Sequence, residues 1–367
     1  MALIRNKTFF GFYPANDSYS EVEVSYDLKG RMNEESRTSL SENLYHHIEN
    51  KWEVIISKDY LCQFYLEEYH IQLDNERNHN ATSEVVNMTL GATRKVQFKY
   101  IDVLNSFYFL LYASCFTGRN TDFLNDFIEV SLWDCLAMEF SQDNQCVSLG
   151  SFGRDKKKRL YRLDKIKSED FDDIFYQMNI KLKDELIFYL RGGKLTSKKS
   201  NRSRNLIELN IFKDAIHYWK VIYDSDLISL ASLASKILSE HRLENYDVSI
   251  ALVWFELEKW INYYAGILGV PIYQMDSSGN IQYFPDGTPR FLSIAKIINT
   301  FPVGSIINSL KPELDVVRGI RNDIAHGGVN ATHPQSVNSI ELFIKMFNIR
   351  SGLNLGVRLA KTGTTGM

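Results

Sequence analysis

The stretch that most restricts what this chain can become is Asp247 to Leu268. Val253, Trp254, Leu257, Trp260, Ile261, Tyr264 and Leu268 recur three or four residues apart, so they fall on one face of a helix. A face carrying two tryptophans and five further large apolar or aromatic residues is not left in water; other helices must cover it. Helical periodicity indeed surrounds it. Phe212–Tyr223 and Asp226–Ser239 precede it, and Phe291–Thr300, a segment beginning near Pro312, and Ser336–Ile349 follow. Gly269-Val270-Pro271 breaks the chain after the long helix. Turn signals at Asp276–Asn280 and Pro285–Pro289 flank strand-like Ile281–Phe284, so residues 270–290 read as a hairpin-like insertion. Residues 225–350 are therefore expected to form an all-α bundle, with 351–367 a frayed tail.

The helix beginning near Pro312 carries the densest chemistry. Leu314, Val317, Ile320 and Ile324 mark its apolar face, and Gly327-Gly328 its end. Arg321 lies about 40° from the centre of that face. A guanidinium there is half-buried and calls for an acidic partner. Asn322 and His326 are i, i+4 neighbours on the wetter side. Upstream, Glu258 borders the apolar face of the long helix while Glu256 points away beside Lys259, so Glu258 is the expected partner of Arg321.

Arg321-Asn322-x-x-x-His326 resembles the signature of the HEPN superfamily, and the Leu257-Glu258 pair in an apolar helix followed by Arg-Asn-x-x-x-His-Gly is similar to its ApeA-like anti-phage branch. The resemblance spans roughly residues 225–350. It implies an α+β chain: a β-rich N-terminal domain followed by an all-α HEPN helical bundle. It also implies an endoribonuclease that needs no metal or other cofactor, because RNA supplies its own 2′-hydroxyl nucleophile. His326 would serve as general base or acid, imidazole being the side chain that ordinarily titrates nearest neutrality. Arg321 would stabilise charge on the phosphate, Asn322 would orient the phosphate or the imidazole, and Glu258 would hold Arg321. A 2′,3′-cyclic phosphate would remain. One bundle offers one such histidine, so the family's pairing of two motifs implies a homodimer. Two blander readings stay open: Arg321 and Glu258 as a structural ion pair, and His326 as a helix-end histidine favoured by the dipole. A catalytically silent RNA- or protein-binding module is the competing functional class.

The first 150 residues are different in character. Thr8–Tyr13, Val22–Tyr26 and Trp52–Ile56 have strand composition, and Tyr60–Leu73 and Glu84–Leu90 could extend the sheet. Ser39–Glu49 and Tyr100–Phe116 look helical, and Asp126–Phe140 is ambiguous. No internal repeat and no nucleotide-binding glycine loop is evident. A recognition or regulatory role, such as sensing a phage-derived activator, follows only by elimination. Residues 151–224 are a basic linker and helical connector. Between 154 and 204 there are 16 Lys and Arg against 8 Asp and Glu, in a chain whose net charge is −3. Lys156, Lys157, Lys158, Arg159, Lys198, Lys199, Arg202 and Arg204 are candidate RNA-phosphate contacts; a solvated linker around a helix near Phe171–Leu190 is the plainer account.

The overall charge argues against a generic basic nucleic-acid binder. The four cysteines (Cys62, Cys115, Cys135, Cys146) have no ligand spacing and read as reduced thiols, and no histidine pair suggests a metal. The N-terminus lacks the pattern of a signal or transit peptide, and Val103–Phe116 is too short and too interrupted to span a bilayer, so a cytoplasmic chain without membrane contact is expected.

Overall fold

The computed structural model describes residues 7–12, 43–57, 62–69, 94–117, 129–131, 135–140, 146–151, 161–162, 209–357 and 359. The chain divides into two compact units, Met1–Ser235 and Lys236–Met367. An antiparallel sheet occupies the first and helices dominate the second, an α+β organisation.

In the first unit the described strands are β1 (Lys7–Phe12), β2 (Asn43–Ile48), β3 (Trp52–Ser57), β4 (Cys62–Leu66), β5 (Leu136–Phe140), β6 (Cys146–Ser151) and β7 (Tyr161–Arg162). They lie in the order β2-β3-β4-β1-β5-β6-β7, and every pair is antiparallel. Phe9, Phe10, Phe12, Val54, Ile55, Ile56, Phe64 and Leu66 are all buried, so strands β1, β3 and β4 form the sheet's core. Helix α1 (Arg94–Thr117) packs on β1 and on α2 (Leu209–Asp224). Its apolar run is interrupted by two polar residues that are buried and fully used. Asn105 donates to Val130 O at 2.9 Å and accepts from Val130 N at 2.7 Å. Ser106 accepts the Trp219 indole N–H at 2.9 Å and donates to Val103 O at 2.7 Å. Polar groups in a core survive only with such partners.

Two expectations fail here. Residues 43–48 are a strand, not a helix: β2 pairs with β3, Tyr45 opposite Ile56 and His47 opposite Val54. Ladder pairing outweighs a weak local helical preference. The strand expected over Tyr60–Leu73 is shorter, ending at Leu66 before a helical turn. Val22–Tyr26, Glu84–Leu90 and the helix near Phe171–Leu190 lie outside the described residues. Cys62, Cys115 and Cys135 are buried thiols outside any disulfide. Burial pushes the Cys115 thiol up to about 12. Among the described residues no helix is long and apolar enough to cross a membrane.

The division between the units falls within α3 (Ile228–Arg242). The second unit continues with α4 (Tyr246–Leu268), α5 (Ile294–Thr300), α6 (Ile306–Ser309), α7 (Lys311–Gly327) and α8 (His333–Ser351). α4 is the hub, packing on α5, α7 and α8. Val253, Trp254, Leu257, Trp260 and Ile261 are buried, and α8 answers with Ile340, Leu342, Phe343, Met346 and Phe347. Full burial of one such side chain contributes about 2 kcal/mol. α4 stops at Gly269, whose φ of 65° is the left-handed conformation that glycine adopts without strain.

Between α4 and α5 the expected hairpin is instead a closed three-way motif. Gln274 N donates to Arg290 O, Arg290 N to Gln282 O, and Gln282 N to Gln274 O, each at 2.8 Å. Single bridges join Tyr273 to Phe291, Met275 to Ile281, and Tyr283 to Pro289. The three segments recur every eight residues, a repeat that the sequence reading overlooked: Gln274-Met275, Gln282-Tyr283 and Arg290-Phe291 are equivalent, with Gly279 and Gly287 at matching turns. Both glycines have positive φ, 83° and 82°.

Candidate functional site at the end of α7

Helix α7 buries Leu314, Val317 and Ile320 and is tied to α8 by the Lys345–Glu313 ion pair at 2.6 Å. It ends in a left-handed Gly328, φ 61°. Across the polar edge of its last two turns lie Arg321, Asn322 and His326. Arg321 and Asn322 are half-buried, His326 is exposed, and Arg321 Nη1 donates to Asn322 Oδ1 at 3.4 Å. Arg318, one turn back, is held by Asp315 at 3.3 Å. Arg321 has no carboxylate partner among the described residues.

The expected Glu258–Arg321 pair is therefore absent, and the reason lies on α4. Glu258 Oε1 accepts the Trp254 indole N–H at 2.7 Å, an i, i+4 bond within its own helix. The acid that turns inward is Glu256, 8% exposed, which the sequence reading had pointing away. It pairs with Lys259 at 2.9 Å and with Arg350 of α8 at 3.6 Å, and Arg350 also sits 5.5 Å from the Trp260 ring centroid.

The loop after α7 is anchored at its far end. Ala331 N donates to Asp247 Oδ1, in the first turn of α4, at 2.5 Å. α8 then opens with Gln335 Oε1 accepting Thr332 N at 2.8 Å, one half of a capping box. His333 is the first residue of α8 and lies against His241 (ring centroids 4.9 Å apart) and Tyr246 (5.7 Å). Behind it runs a buried chain. His241 Nδ1 meets Ser336 Oγ at 2.8 Å, Ser336 Oγ donates to Ser249 Oγ at 3.3 Å, and Ser249 Oγ donates to Ile237 O at 3.2 Å. Each hydroxyl has one proton, so His241 donates through Nδ1. Burial, His333 and then Arg242 push His241 down to about 4, so the imidazole is neutral, with its Nδ1 committed to Ser336.

Comparison with protein-family models, with curated proteins and with solved structures gave no match. The geometry has to speak for itself. It brings Arg321 and Asn322 together on the helix that carries an exposed His326, and it joins Glu258 to the Trp254 indole rather than to Arg321. Lys156, Lys157, Lys158, Arg159, Lys198, Lys199, Arg202 and Arg204 lie outside the described residues. Among the described residues no group of three His, Cys, Asp or Glu stands close enough to hold a metal ion.

Two features were not anticipated. One is Arg290 with its exposed aromatic neighbours in the three-way motif, for which the eight-residue recurrence was the available signal. The other is a cavity of about 750 Å³ in the first unit, lined by Glu49, Trp52, Tyr69, Asp102, Lys220 and Tyr223 among others. Its residues come from strands and helices far apart in sequence, so no local pattern announces it. Asp102 there is pushed up by burial, against the bond that it accepts from Ser232 at 2.8 Å.

Proposed function

We propose that the second unit is a HEPN-type, metal-independent endoribonuclease acting in anti-phage defence or abortive infection. The observation that carries this reading is the grouping at the end of α7: a half-buried guanidinium without a carboxylate, touching an amide, one turn before an exposed imidazole. A guanidinium in that state is suited to a phosphate, whose negative charge grows in the transition state. A base takes the proton of the 2′-hydroxyl, the 2′-oxygen attacks phosphorus, and the P–O5′ bond breaks. The departing 5′-oxygen receives a proton from an acid, leaving a 2′,3′-cyclic phosphate. His326 supplies one of the two proton-transfer groups. His326 of a second copy supplies the other in a homodimer formed through the helical unit, a closed two-fold arrangement being the commonest kind.

The basic residues between 156 and 204 would gather the RNA. The N-terminal sheet unit would act as sensor or regulator, restraining the site until an activator of phage origin arrives. No cofactor is required by this chemistry.

A second reading is favoured by one observation: His326 has no hydrogen bond to orient it among the described residues. A catalytically silent module that docks RNA or a protein would need none. Purified protein in EDTA, incubated with total RNA beside His326→Ala and followed by end-group analysis, separates the two. Cuts ending in 2′,3′-cyclic phosphate and absent from the variant support the enzyme. RNA retained but uncut by both proteins supports the module.

A further inference from the structure

The three-way motif between α4 and α5 repeats one backbone pattern, and the side chain at one of its three equivalent bonding positions breaks with the other two. In two of its three arms the equivalent side chain closes the motif on itself: Gln274 Nε2 donates to Phe291 O at 3.1 Å and Gln282 Nε2 to Met275 O at 3.2 Å. The third arm has Arg290 instead of glutamine. Its Nε is buried with no acceptor, and its guanidinium lies 4.9 Å from the Phe284 ring centroid. No carboxylate pairs with it among the described residues. The motif's own acids are engaged in their turns: Asp276 accepts Ser278 N at 2.8 Å and Asn280 N at 2.9 Å, and Asp286 accepts Thr288 N at 2.9 Å and its hydroxyl at 2.7 Å.

Around this cation the apolar surface is open. Tyr283 is 56% exposed, Phe284 49%, Phe291 58% and Met275 46%. Lys296 follows in the first turn of α5, exposed and without a carboxylate among the described residues. Such rings cost solvation unless something planar or apolar covers them, and a guanidinium without a carboxylate among the described residues suits an anionic acceptor. Bases on a phosphate backbone offer both at once: ring faces that stack without regard to sequence, and an oxygen for the guanidinium. α5, which follows the motif, packs on both α4 and α7, so the motif is tethered to the helices that hold His326.

We propose that the 273–291 motif is a stacking platform for single-stranded RNA, with Arg290 taking a phosphate and Tyr283, Phe284 and Phe291 taking bases. The choice of RNA among aromatic polyanions rests on the ribonuclease reading; the platform itself does not.

The test uses the full chain and a fluorescein-labelled 2′-O-methyl oligouridine, which lacks the attacking hydroxyl and stays intact whatever His326 does. Anisotropy titrations are run over a range of salt. Arg290→Gln installs the residue that the other two arms already carry, so the motif keeps its fold; a urea midpoint equal to the parent's checks this. It is expected to weaken binding roughly fivefold to tenfold and to lower the salt slope by about 0.7, the loss of one phosphate contact. Tyr283→Ala with Phe291→Ala is expected to weaken binding about tenfold or more with the slope unchanged. An abasic oligonucleotide should lose the effect of the ring substitutions and keep that of Arg290→Gln. Parental affinity in both variants overturns the proposal. So does parental affinity accompanied by lost self-association in sedimentation, which would assign the motif to a protein contact. If His326→Ala cuts RNA as the parent does while Arg290→Gln still binds more weakly, the ribonuclease reading fails and the platform stands. The reverse pattern sinks the platform alone.

Discussion

Two regions of the helical unit handle their polar groups in opposite ways. Where α4 meets α8, the polar groups are nearly all taken, the buried Trp260 indole N–H being the exception. His241, Ser336 and Ser249 bond in series, Glu256 takes Lys259 and Arg350, and Asp247 takes the Ala331 N–H. At the end of α7 and on the three-way motif, groups are left over among the described residues: Arg321 without a carboxylate, His326 without an orienting bond, Arg290 without a carboxylate. Polar groups that are used hold the fold, and polar groups that are spare remain for a ligand. Substitutions in the first region should therefore cost stability and spare activity, and those in the second the reverse.

The largest effect is expected at His326. His326→Ala should reduce RNA cleavage by about a hundredfold or more, the usual contribution of general acid–base catalysis, with the urea midpoint unmoved because the side chain is exposed. Arg321→Ala should do the same to cleavage and destabilise by less than about 1 kcal/mol. A large drop in the urea midpoint for either variant would put α7's end among the fold-holding groups.

Next comes the pH dependence of the consumed region. His241 is depressed to about 4 by burial and by His333 and Arg242, against an ordinary histidine value of about 6.5 in the unfolded chain. Below 6.5 the unfolded state binds a proton that the folded state refuses. Stability should be complete above that pH, fall as pH drops towards 4, and level off below it. The full loss is about 3 kcal/mol. Chemical denaturation at a series of pH values checks this, and His241→Asn should flatten the curve over that window. An unchanged slope in the variant would show that other groups govern the acid limb.

How far the sequence carried these regions depends on what kind of information each needs. The helices α2, α4, α7 and α8 were legible because their apolar spacing is local and strong, as at Val253, Trp254, Leu257 and Trp260. The helix expected at Ser39–Glu49 is a strand because its partner β3 is decided by pairing, which no local pattern records. An ideal wheel favours Glu258 over Glu256, because it cannot see that Trp254 claims the former or that Arg350 of α8 claims the latter. The three-way motif was readable in principle, since Gln274, Gln282 and Arg290 recur at a fixed step; the variation of side chains around that step concealed it.

The reassignment on α4 gives a sharper comparison between neighbours. Glu256→Ala strands Arg350 over Trp260 and frees Lys259, and should cost about 1–2 kcal/mol, a discount from a buried pair because both cations are well exposed. Glu258→Gln keeps an acceptor for the Trp254 indole and should cost less than about 1 kcal/mol. Neither should change cleavage. A hundredfold loss of cleavage in Glu258→Gln would restore it as the partner of Arg321.

The smallest expected effect lies where the two regions touch. Asp247 holds Ala331 and so fixes the far end of the loop that leaves His326. Asp247→Asn retains an oxygen acceptor but removes a charge that suits the first turn of α4, worth about 0.5 kcal/mol; Asp247→Ala also removes the bond, for about 1 kcal/mol. If the regions are independent, both variants should shift the urea midpoint in that order and leave cleavage within about twofold of the parent, since His326 sits on the rigid end of α7 rather than on the loop. A loss of tenfold or more in Asp247→Asn, with stability nearly intact, would mean that a consumed group positions a spare one. The loop would then belong to the site, and the line between holding the fold and doing the chemistry would run through Ala331.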